Sequence, residues 1–248
     1  MSSLASILTV TKKLYFYKLK AHAGFLFILA CLQIFALVFA FLGMAGGMST
    51  HGGSIRIDVT IYSAVGILVF TMFWAFVVSI YLASKALRNL DFAFVGNRLS
   101  SNLANFCLLA TFSVLGGLCA SLSTLVLRNV IYFMGRGPYL LGEYFYLPPG
   151  ELLMGTIAAI LYLLLISALG YFFGSLSSLS KVMVVFIPAI LLGTLIMETR
   201  TADLSIIIQA IKFFTAEASF AAFIVKSLLT VVVLMLGSAL ISRRLEVR

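Results

Sequence analysis

Six runs of about 20 mostly apolar residues, separated by short polar stretches, dominate the chain; that length wound as a helix matches the hydrocarbon of a bilayer. They fall near residues 22–46, 60–84, 103–128, 152–176, 181–198 and 219–242. Backbone groups in lipid must be satisfied within the segment, so helix is expected even through β-branched stretches such as "VVFI" and "TVVVL". The predicted fold class is all-α, a single polytopic transmembrane domain over residues 1–248. The fifth run is the shortest, and Pro188 is expected to bend it by removing a helical hydrogen bond.

Amphipathic patterns occupy three of the intervening stretches. "TKKLYFYKLK" mixes lysines and aromatics as an interfacial helix does, although a plain anchoring flank explains it equally well. In "SKALRNLDFAFVGNRLSSN", residues 84–102, Leu87, Leu90 and Phe94 recur at helical spacing while Lys85, Arg88 and Asp91 can point elsewhere. Gly96-Asn97 reads as a helix stop, and Arg98 follows at the lip of the third span. Such a helix either lies on the lipid surface or inserts its apolar knob into a cytoplasmic partner. In residues 199–218, Ile207, Ile208, Ile211 and Phe214 also recur at helical spacing, interrupted by Gln209, Lys212 and Glu217.

Composition agrees with lipid as the solvent. The chain is 62% apolar and 10% charged, with a mean hydropathy of +1.16, whereas soluble domains carry about 25% charged residues. Its formal charge of +9 is unevenly placed. Eleven of the 17 basic residues precede the first span, lie between spans two and three or four and five, or follow the sixth. The positive-inside rule therefore places both termini and residues 85–102 in the cytoplasm, with 47–59 and 129–150 outside, in a cell membrane. Anionic headgroups account for the charge without any nucleic acid. A cleaved signal peptide is not expected, because the first apolar run is too long.

The chemistry visible in the sequence is sparse. Every acid lies at or beyond a span end, so no intramembrane carboxylate carries a coupling proton or cation. No HExxH motif, aspartate dyad or phosphate-binding GxxxxGK[ST] loop is present. Cys31, Cys107 and Cys119 all fall in spans without CxxC spacing, which favours ordinary packing over disulfides or zinc. His22 and His51 have no partners at ligand spacing, so no metal site and no catalytic residue is expected. Lys226 is the one charge well inside a span. It either snorkels outward or forms an outer-cavity cation that meets a substrate carboxylate or pairs with Glu198 or Glu217. The aromatics of 129–150, among them Tyr132, Phe133 and Tyr139, fit a headgroup belt or an amphipathic substrate. Small residues at Gly66, 116–121 and the pair Gly170 and Gly174 mark close helix approaches.

With no energy source of its own, such a membrane unit depends on a partner for uphill transport. The layout resembles the permease subunit of an ABC-2-type ATP-binding-cassette exporter. The shared features are an interfacial N-terminal helix, six spans with both ends inside and a coupling helix between spans two and three. A short fifth span followed by an external re-entrant element completes them. In "FVGNR" the family's turn and basic residue are matched, with Gly96 in place of the usual proline and Arg98 as the basic residue. "NRLSSNLANF" is similar to small Gram-positive members that work with a separate ATPase. The resemblance implies Leu90, Phe92, Phe94 and Val95 as the knob that docks on a cytoplasmic ABC ATPase, with Arg98 anchoring its base. It further implies ATP and Mg in that partner rather than in this chain, and a second copy or a related permease as dimer partner. The substrate would be an amphipathic peptide, drug or lipid moved outward. A non-transporting immunity or sensor protein that binds an external peptide is the alternative. One of the small-residue faces is expected at the two-fold interface.

Overall fold

The computed structural model describes residues 2–43, 47–52, 55–60, 62–85, 87, 98–135, 148–178, 209, 213–214 and 219–244. These form six helices and one hairpin: α1 (Ser2–Ala21), α2 (Gly24–Phe41), β1 (Gly47–Gly52), β2 (Ile55–Thr60), α3 (Val65–Leu82), α4 (Arg98–Phe133), α5 (Pro149–Ser177) and α6 (Phe220–Arg244). Helices α2 to α6 are long and apolar enough to cross a membrane. The chain is a helical multi-pass membrane protein. The expected fifth span, 181–198, lies outside the described residues, as do most of the stretch 84–97 and most of 199–218.

Helix ends follow local chemistry. Leu42 and Gly43 close α2 by donating to the Val38 and Ala40 carbonyls, and Gly43 takes the left-handed φ of 73°. Gly135 does the same after α4 at φ 71°, in each case a conformation that costs glycine little. The Ser63 hydroxyl accepts from the Val65 amide at 3.2 Å and caps α3. Pro149 opens α5, where a missing N–H costs nothing.

Two boundaries depart from the hydropathy pattern. At 36 residues α4 is about 54 Å long, far more than the roughly 30 Å of hydrocarbon. The apolar run 103–128 is therefore the middle of a longer helix whose ends, 98–102 and 129–133, carry Arg98, Ser100, Ser101, Asn102 and Asn129. The stretch 47–59, expected as an external loop, forms an antiparallel hairpin with Gly47 opposite Thr60 and Gly52 opposite Ile55. The fold is thus helical within the spans and not purely α outside them.

The residues divide into two compact units, and α3, α4 and α5 contribute to both. The first comprises Met1–Leu19, Phe76–Leu109 and Leu164–Arg248. Its core gathers Leu165, Ala168 and Val231, with Phe106, Leu169 and Leu234 packed around them. Here Gly170 and Gly174 face α3: a methyl group on Gly174 would lie 2.9 Å from the Ile80 carbonyl oxygen, and one on Gly170 2.7 Å from that of Phe76.

The second unit comprises Lys20–Ala75 and Ala110–Leu163. Ala36, Ala40, Tyr62, Ile67, Ala120, Leu127 and Ile131 make its core. Gly117 is packed against the backbone of Ile160, and Gly116 against Leu163 and Thr71. Of the small-residue sites read as close approaches, Gly116–Gly117 and Gly170–Gly174 pack within the chain. The exposed stripe of α6, with Val225, Leu229, Val232, Val233, Leu236 and Leu240, is left for hydrocarbon or another helix.

Candidate functional site

The most elaborate polar assembly among the described residues lies in the first unit, at the N-terminal end of α4. Four lysines, Lys12, Lys13, Lys18 and Lys20, precede the first span. Lys12, Lys13 and Lys20 are exposed, but Lys18 is 4% exposed. Helical spacing puts Lys18 two turns from Thr11 on the same face of α1, and Thr11 is buried too. Leu8, Phe16 and Tyr17 are exposed, with Phe16 on the side of the helix away from Lys18. So the exposed residues of α1 are mixed apolar and basic, while its buried positions Thr11 and Lys18 are polar.

The Lys18 ammonium donates to Asn105 Oδ1 at 2.6 Å and to Ser101 Oγ at 3.3 Å. Asn105 Nδ2 then donates to the Tyr171 hydroxyl at 3.0 Å, which donates onward to Asn102 Oδ1 at 3.1 Å. Each donor points away from the cation, so the charge fixes the amide orientation of Asn105 and polarises the bonds beyond it. The positive end of α4 gives a cation no help, so side-chain acceptors supply the stabilisation. The result joins α1, α4 and α5 by directional bonds between buried groups. It holds helices in register and contains no nucleophile–base pair.

Sequence reasoning missed this junction. A usable signal was the polar run Ser100, Ser101, Asn102 and Asn105 at the entry to an otherwise apolar span, with Tyr171 in a second apolar run. What a chain reading lacks is the partner of Lys18, 87 residues away.

Of the residues expected to couple to an ATPase, Leu90, Phe92, Phe94 and Val95 lie outside the described residues. Arg98 is the first residue of α4, so the stretch 84–97 runs directly into the helix that carries the junction. Lys226, the expected substrate contact, donates to the Phe213 carbonyl at 2.6 Å, with its ammonium 3.3 Å from the centre of the Phe213 ring. The carbonyl and the ring face together satisfy much of its charge. Glu198 and Glu217, its other expected partners, lie outside the described residues.

Cys31, Cys107 and Cys119 form no disulfide. Cys31 and Cys107 are exposed, so they sit on uncovered helix faces rather than in the packing expected of them. His22 stacks on Phe25, with ring centres 5.7 Å apart. Among the described residues no group of His, Cys, Asp or Glu is arranged to hold a metal ion. No family model matches the chain, and no curated protein or solved structure is significantly similar to it.

Proposed function

We propose that this chain is the membrane-spanning permease subunit of an ABC exporter, moving an amphipathic substrate outward with ATP hydrolysed by a separate cytoplasmic ATPase. The observation that carries this reading is the Lys18 junction. It ties the interfacial helix α1 to the first two turns of α4, the helix that begins as the amphipathic stretch 84–97 ends. Nucleotide-driven movement reaches the spans only through a stiff connection, and buried directional hydrogen bonds at the base of the docking segment provide one. On this reading Leu90, Phe92, Phe94 and Val95 contact the ATPase, Arg98 anchors their base, and ATP and Mg reside in the partner.

The remaining parts follow the same reading. Six spans, both termini in the cytoplasm of a cell membrane, and a second copy or related permease complete the transporter. Lys226 braces the last span against the segment around Phe213, which leaves its ammonium less available to a substrate carboxylate. The test is isolation of the tagged chain from its native membrane in mild detergent, with mass spectrometry of what stays bound. An ATPase with a phosphate-binding loop, in stoichiometric amount and with turnover that depends on the permease, is expected. Isolation of the chain with no such ATPase, together with saturable binding of an external peptide, would instead establish the immunity or sensor reading.

A further inference from the structure

The second unit contains a cleft of about 270 Å³ between the start of α3, the middle of α4 and the first three turns of α5. Ala64, Leu68 and other aliphatic side chains form most of its wall. Its polar members are Ser121, Thr124, Glu151 and Thr156. The Thr124 hydroxyl donates to the Ala120 carbonyl at 2.9 Å, and the Thr156 hydroxyl to the Leu152 carbonyl at 2.7 Å. Each threonine has one hydroxyl proton, already committed to its own helix, so its oxygen offers the cleft only lone pairs. An ionised Glu151 likewise only accepts, and it alone among the lining residues carries a charge. Ser121 can rotate its hydroxyl to either role.

A carboxylate in the first turn of a helix is favoured by the dipole whatever its function. That accounts for Glu151 alone. It does not account for two threonine oxygens stripped of donors in the same apolar cleft. Cavities of about 150 Å³ accommodate a benzene ring, so this one has room for a ring with a short amine-bearing arm.

We propose that the cleft binds the cationic end of an amphiphile, an alkylammonium joined to a small apolar body. The ammonium donates to Glu151 and the threonine oxygens, and the body lies along Ala64 and Leu68. An anion of the same shape finds almost no donors. The site deepens the exporter reading by naming its substrate class, and by the orientation proposed above it opens on the outer side.

The probe is phenylpropylamine, measured by equilibrium binding to the full chain in zwitterionic nanodiscs, with empty nanodiscs as baseline. Phenylbutyrate and phenylbutanol serve as anionic and neutral counterparts. Saturable binding of the amine is expected, with phenylbutyrate binding no more than empty discs do. Glu151→Gln should weaken amine binding roughly fivefold or more and leave the alcohol unaffected. Gly155 lines the cleft with open space around the position of a Cβ, so Gly155→Phe should fill it and abolish amine and alcohol binding with an unchanged thermal midpoint. Equal amine affinity in wild type and Glu151→Gln, phenylbutyrate binding as tightly as the amine, or amine binding that survives Gly155→Phe would overturn the proposal. No ATPase takes part in the assay. Glu151-dependent binding in a chain without an ATPase partner keeps the cleft and removes the exporter reading. A stoichiometric ATPase without Glu151-dependent binding does the reverse.

Discussion

Lys18 and Gln33 are both buried polar side chains in helices, but they leave different debts when removed. Replacing Lys18 with methionine takes away a charged donor and strands Asn105 Oδ1 in a buried position. Hydrogen bonds to charged groups are worth about 1.5–3 kcal/mol, and removal of a buried charge also recovers desolvation energy. Because a bonded acceptor is left behind, we expect Lys18→Met to destabilise the purified chain by about 2 kcal/mol. Gln33 donates to Thr71 Oγ1 at 2.8 Å, but its own Oε1 is buried without a hydrogen bond. Thr71 keeps its bond to the Ile67 carbonyl, and interhelical side-chain bonds in membranes average only about 0.6 kcal/mol. Gln33→Leu should therefore be nearly neutral. Unfolding in detergent, followed by the fluorescence of the single tryptophan Trp74, distinguishes the two. A neutral Lys18→Met would mean that desolvation offsets the bonds, and the junction would then not be the stiff connection described.

Helices α3 and α5 meet through glycine, and the fit makes a contrast that can be measured. Gly174→Ile has to push past the Ile80 carbonyl, 2.9 Å from the added Cβ, and overpacking of this kind costs about 1–3 kcal/mol. Gly155 on the same helix meets nothing within 4 Å, so Gly155→Ala should be neutral or gain up to about 1 kcal/mol of helix propensity. Thermal midpoints of the two variants in the same detergent should move in opposite directions or by clearly unequal amounts. The cores of α2, α3, α5 and α6 were legible in the sequence because lipid demands long apolar runs, and hydropathy records that demand directly. The ends of α4 were not, because Ser100, Ser101, Asn102 and Asn129 continue a helix that has left the hydrocarbon. The hairpin at 47–60 escaped for a related reason: its register lies in cross-strand pairing, which a hydropathy scan does not measure. The glycine faces were readable as close approaches, but whether they served a neighbouring helix or a second copy depended on packing. Lys18 shows the same limit for the site, since its role is set by Asn105 and Tyr171 and not by its neighbours in sequence.

For the whole molecule, orientation comes first. A cysteine placed by His51→Cys or Gly137→Cys should react with an impermeant maleimide on intact cells, and Asn97→Cys should react only after permeabilisation. Labelling of Asn97→Cys in intact cells would put residues 84–97 outside and end the coupling proposal. The most direct test of the central claim replaces Phe92 and Phe94 together by alanine and reconstitutes the chain with the ATPase that the proposal assigns to it. Aromatic anchors in a partner pocket are often worth about 2 kcal/mol or more each. The account predicts a weakened ATPase association, or hydrolysis uncoupled from transport, with a normally folded permease. Full ATPase association with normal coupled transport would contradict it and leave the two aromatics as a lipid anchor.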